Sequence, residues 1–163
     1  MGIGCTKDNQ NVYFRARKAA AEYNERLSSR EGASELLGIS PSTLADYELG
    51  ITKFVPVDKV VLMADLYNCP ELRTGYCKNE CPIGKHIPLA TETGGIEGIA
   101  LRLLKEFDTK QIEEMNRSLI GITADGVITE DEKPILEGII RRLDELSVAI
   151  SELKLVGEKV LKG

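Results

Sequence analysis

Thiolate and imidazole donors, the groups that hold soft metal ions, are few in this chain and concentrated in one stretch. Cys77 and Cys81 stand four apart, His86 is the only histidine and follows five residues later, and Cys5 lies in an N-terminal tail that can fold back. Zinc takes four such ligands at about 2.0–2.3 Å in a tetrahedron. Cys5, Cys77, Cys81 and His86 therefore make a candidate set of three thiolates and one imidazole. An all-thiolate set that includes Cys69 suits zinc or an iron–sulfur cluster. Two alternatives stand beside these sets: Cys69 is small buried packing at a helix end, or the thiols stay free and pair only as a redox-responsive disulfide. The strong spacing of two Cys-x2-Cys pairs is absent.

No other arrangement points to catalysis. His86 has no nucleophile placed beside it by local spacing, and no glycine-rich phosphate loop occurs. The run from Asp125 to Glu132 matches the second half of an EF-hand loop, but Gly121 and Thr123 stand where the first and third ligands belong. An enzyme is not expected.

With 163 residues the chain holds one ordinary domain, or a small domain with an appendage. It is 42% hydrophobic and 29% charged, and its longest apolar runs fall far short of the ~20 residues that span a bilayer. No membrane association is expected, and the N-terminus lacks the basic-then-apolar pattern of a signal peptide, so the expected compartment is the cytoplasm. Aromatics make up 5% with no Trp, which leaves Leu, Ile, Val and Ala to build the core and favours an all-α protein. The net charge of -5 is unevenly spread: residues 1–88 hold 11 basic and 11 acidic side chains, residues 89–163 hold 10 and 15. The first half is neutral and able to carry a basic face; the acidity lies in the second.

Helix signals fill the chain. The Ala-rich segment from Val12 to Tyr23 predicts a first helix ending near Arg26. A Ser cap precedes a second short helix closed by Gly38, and Ser40 with Pro41 opens a third that Gly50 closes. A fourth runs from about Pro56 to Tyr67 with Val57, Val60, Val61, Ala64 and Leu66 as its buried face. One or two turns from Glu71 to Tyr76 complete a five-helix domain over residues 1–76, and prolines and glycines mark residues 77–95 as a linker. Residues 96–163 read as a long antiparallel helical hairpin, coiled-coil-like, with the first seam interrupted around Lys110. Its turn contains Asp125-Gly126, followed by a Thr129/Glu132 capping box. Ile135, Ile139, Leu143, Leu146, Ile150 and Leu153 recur at heptad-like steps, a seam the hairpin is too thin to cover, so a second copy is expected to pack there.

Within the short pair, Ser34 is the small residue at the helix crossing, Gly38 releases the chain into the turn, and Leu44 anchors the next helix from beneath. With Tyr47-Glu48-Leu49-Gly50 at the exit, the stretch from Leu27 to Leu72 resembles the Xre-type helix-turn-helix family of phage-repressor-like regulators. The whole chain is more loosely similar to regulators of Gram-positive mobile elements. The resemblance implies a homodimeric transcriptional regulator, a repressor by type, that binds double-stranded DNA with the Pro41–Leu49 helix in the major groove. Pro41, Ser42, Thr43 and Asp46 then face base edges, with Ser40 opening the helix. Arg30 reaches the DNA from the preceding helix, Ser29 offers its N–H and hydroxyl to a phosphate, and Lys53 and Lys59 are phosphate contacts. Glu48 is expected to turn inward onto Arg15 or Arg17.

One departure matters. Base readout is strongest with Arg, Gln or Asn, and this face offers small polar groups, a proline and an acid. Readout then leans on Arg30, on thymine methyls and on DNA shape. The competing reading is an adaptor or antirepressor whose hairpin grips a partner protein.

Overall fold

A computed structural model describes residues 11–162. Those residues form eight α-helices, two 3-10 turns and no strand. None of the described helices is long and apolar enough to cross a membrane.

Helix α1 (Val12–Ala20) starts on Asn11, whose Oδ1 accepts from the N–H of Tyr13 at 2.9 Å. It stops at Ala20, short of the Arg26 expected from composition. There the chain turns, and a 3-10 turn at Glu25–Ser28 drives Leu27 fully into the core. The Arg17 guanidinium fixes that turn through Leu27 O at 2.9 Å and Ser28 O at 3.2 Å. Helix α2 (Arg30–Leu37) is capped by the Ser29 hydroxyl. Its Gly32 is sterically required, since a Cβ there would stand 2.2 Å from Arg26 O.

Gly38 ends α2 at φ 63°, where an L side chain is strained, and Ile39 N–H returns to Ser34 O at 3.0 Å. Helix α3 (Pro41–Glu48) follows at once. Ser34 and Leu44, the expected contact and anchor, are both buried.

Helix α4 (Val57–Leu66) buries Val60, Met63 and Ala64. Val57 and Val61, expected inside, are exposed. In so apolar a helix two stripes at helical spacing compete, and contact with the rest of the core selects the one containing Met63. Helix α5 (Glu71–Asn79) runs past Tyr76 into the expected linker and takes Cys77 with it. Core side chains from α1 through α5, including Ala20, Leu27, Leu44, Met63, Tyr67 and Leu72, form one cluster.

The second half departs from a simple hairpin because its first arm is broken. Helix α6 (Ile96–Glu106) ends at Phe107, and Asp108 caps a new helix, α7 (Thr109–Thr123), by accepting from Gln111 N–H at 3.2 Å. Helix α8 (Lys133–Lys162) packs against both. Arg102 pairs with Glu152 while Arg142 reaches Glu106 and Gln111, so α8 runs antiparallel to α6. Ile99, Leu103 and Ala149 form the centre of this second core, with Leu146 and Ile150 packed onto it. Thr129 N–H donates to Glu132 Oε2 at 2.8 Å, which is one half of the expected capping box. The reciprocal bond is not made, because Thr129 Oγ1 donates to the same carboxylate at 2.7 Å while Glu132 N–H goes to Thr129 O.

The seam expected to be open is therefore partly closed within one chain. Ile139 is buried, which removes it from any interface, and Leu146 and Ile150 are half-covered by α6. Ile135, Leu143 and Leu153 stay exposed, together with Leu104 of α6 and Phe107 at its C-cap.

Nor is the segment between the halves a loose tether. Ala90 N–H donates to Ser151 Oγ at 3.2 Å, Gly94 N–H to Glu152 Oε1 at 2.8 Å, and Thr93 Oγ1 to Glu71 Oε1 at 2.7 Å. Beyond it, the last turns of α8 dock on the first half. Arg73 pairs with Glu158, Lys159 with Glu71, and Lys162 with Asp65 at 3.1 Å, while Asn68 Nδ2 donates to Lys159 O at 3.3 Å. Each exposed pair alone contributes about 0–1 kcal/mol, and their value lies in acting as a network.

Candidate nucleic-acid interface

The two short helices place the expected DNA-facing residues through their own caps. Ser29 is exposed at the start of α2, its hydroxyl accepting from Gly32 N–H at 3.1 Å. Ser40 does the same for α3, accepting from Thr43 N–H at 3.0 Å, and its oxygen lies 2.8 Å from both Ser42 Oγ and Thr43 Oγ1. Three hydroxyls are thus joined at the N-terminus of α3, beside an exposed Pro41. Hydroxyls that donate and accept suit phosphate oxygens and either partner of a base pair. Asp46 is half-buried one turn further on.

Glu48, fully buried at the end of α3, organises the other side. Arg17 gives it a two-point pair, Nε to Oε1 at 2.5 Å and Nη2 to Oε2 at 3.0 Å. The inward partner is Arg17, one of the two arginines the sequence offered. Sequence reasoning did not provide for the second cation: Arg30 Nε donates to Glu48 Oε2 at 2.7 Å. The residue expected to reach DNA freely from α2 is braced by the buried carboxylate, which costs it reach and gives it a fixed direction. Both were singled out separately; what was missing was that one carboxylate has oxygens enough for two guanidinium groups.

Lys53 and Lys59 are weaker phosphate candidates in this geometry. Lys53 is exposed with Nζ 5.3 Å from the centre of the Phe54 ring, and Lys59 lies 3.9 Å from Asp58.

Among the described residues, the members of the metal set expected from spacing are not brought together. Cys5 lies outside the described residues. Cys77 is half-buried on α5, Cys81 lies just beyond that helix, and His86 is exposed at the end of the 3-10 turn Gly84–His86. Among the described residues no three His, Cys, Asp or Glu side chains converge to hold a metal ion, and Cys69, Cys77 and Cys81 are free thiols. Backbone packing positions this turn. Gly84 is pressed against α5 so tightly that a Cβ would stand 1.8 Å from Cys77 O, and Lys78 Nζ donates to the carbonyls of Lys85 and Ile87.

Comparisons of the chain with protein-family models, with curated proteins and with solved structures found no match.

Proposed function

We propose that the protein is a sequence-specific regulator that binds double-stranded DNA as a homodimer, with α2 and α3 as its helix-turn-helix and the hairpin of α6, α7 and α8 as its pairing element. The observation that carries this reading is the pair of capped helices across Gly38, with Ser40, Pro41, Ser42 and Thr43 clustered at the N-terminus of α3 and Arg30 aimed by Glu48. A scaffold with no ligand has no need of a braced arginine beside an exposed hydroxyl cluster. Pairing uses Ile135, Leu143 and Leu153 of α8 with Leu104 of α6 and Phe107 just after it, which are among the large apolar side chains one chain leaves exposed. Two-fold pairing calls for an inverted-repeat operator with half-sites about one helical turn, or a multiple, apart.

Selection from random duplex DNA at fixed near-physiological salt tests this. Recovery of an inverted repeat, lost when Ser42 and Thr43 are both changed to Glu, supports it. A folded protein that recovers no motif overturns it in favour of the adaptor reading, which the scarcity of Arg, Gln and Asn on α3 favours.

A further inference from the structure

A cleft of about 820 Å3 lies between α1, the loop after α3, helix α5 and the strap at residues 91–93. It shares no residue with the hydroxyl cluster of α3. One face of α5 and its C-cap supply its wall: Leu72, Gly75, Tyr76 and Asn79 of the helix and Glu80 at its end, at the i, i+3, i+4 spacing of a helix.

Three features give this wall a chemistry. Gly75 sits inside a helix where no positive φ demands glycine, and a Cβ there would meet nothing within 4 Å. Neither packing nor backbone geometry explains it, and its effect is to keep the cleft open. Glu80 is half-buried and forms no ion pair with a described residue. Tyr13 of α1 stands across from it, its hydroxyl pushed up to about 12 by burial, then by the charge of Glu80 and the neighbouring Tyr76. That places two phenol rings and one uncompensated carboxylate together. The cations lining the cleft, Arg15 and Lys53, are both exposed, and its carboxylates, Glu71, Glu80 and Glu92, outnumber them. The lining therefore favours positive charge, and aromatic faces with a carboxylate are the recurring surroundings of ammonium groups.

We propose that this cleft binds an organic ammonium compound, with Glu80 as counter-ion, the rings of Tyr13 and Tyr76 against the cationic head, and Gly75 leaving room for an apolar body. The site shares only Lys53 with the DNA-binding reading, and its test does not depend on that reading.

Titration of the full chain with benzyltrimethylammonium, followed by calorimetry and tyrosine fluorescence with benzoate as the anionic control, tests the assignment. The expected result is saturable binding below about 10 mM, weakened about tenfold by Glu80→Gln, unchanged by Glu113→Gln on α7, and abolished by Gly75→Trp with helix content retained. No saturable binding of the wild type, equal binding by Glu80→Gln, or equal binding of benzoate overturns it. Should Gly75→Trp fail to fold, the Glu80→Gln comparison alone decides.

Discussion

Lys159 donates to the carboxylate of Glu71 across 88 positions of sequence, and through that contact the last turns of α8 are fastened to the first turn of α5. Thr93 shares the same carboxylate, so three separate segments meet on one side chain. Burial raises the Glu71 pKa, but the hydrogen bonds from Lys159 and Thr93 outweigh it and hold the carboxyl below its ordinary value of 4.5. Glu158 is lowered by Lys162 and Arg73. A depressed carboxyl contributes stability at pH values above its unfolded pKa and loses it as pH falls through the folded one. Stability should thus be level above about pH 5 and decline below pH 4.5. Urea midpoints between pH 6 and pH 3 measure the slope, and Glu71→Gln is expected to flatten it.

Removal of the buried acid at the end of α3 should be far more damaging. Glu48→Gln leaves Arg17 buried without its counter-charge, a change that costs about 3–5 kcal/mol. Denaturant unfolding gives the value. On the DNA-binding reading, the surviving folded fraction also loses affinity, because Arg30 is no longer braced.

How much of this was legible beforehand follows from the range of each interaction. Caps act over three residues: a Ser cap before α2, Ser40 before α3 and Gly38 between them were readable from sequence and are present, whereas the Thr129/Glu132 box forms only by half. The break before α7 was visible as a lapse in the apolar pattern, although the Asp108 cap that causes it was not singled out. In α4, Val57 and Val61 lost to Met63 because periodicity alone cannot rank two apolar stripes. The docking of Glu158, Lys159 and Lys162 was not legible, since ion pairs between residues this distant leave no local trace. The candidate DNA-facing residues were individually identifiable, whereas the sharing of Glu48 by two arginines depends on tertiary geometry.

Gly75→Ala offers a stability gain. With nothing in the way of a new Cβ, the substitution exchanges glycine for the best helix former and should stabilise the protein by about 0.5–1 kcal/mol. Thermal melting of the two proteins side by side is sufficient, and a loss of stability would show that the glycine serves the fold.

Cys69 should be the slow thiol. Burial first, then the charge of Glu71, pushes it up to about 11, against an ordinary 9.0. At pH 8 its thiolate fraction is about a hundredfold smaller than in the unfolded chain. Iodoacetamide labelling read by peptide mass spectrometry should therefore find Cys69 protected in the native protein and labelled readily in urea.

On the dimer reading, replacing both Leu143 and Leu153 by Asp is expected to leave a monomer in light scattering while helix content is kept. Both side chains are about two-fifths exposed in the single chain, at 43% and 40%, so the fold loses little when they become polar.

Helix α8 continues without interruption for 30 residues, about 45 Å of rigid rod, fixed near one end by Glu71, Asp65 and Arg73. Such a rod is a lever arm. A tilt of about 5° at the anchored end carries the Lys133 end through about 4 Å, roughly the width of a side chain. Small adjustments beside α5 would thus arrive at the far tip of the hairpin as displacements large enough to alter which side chains meet.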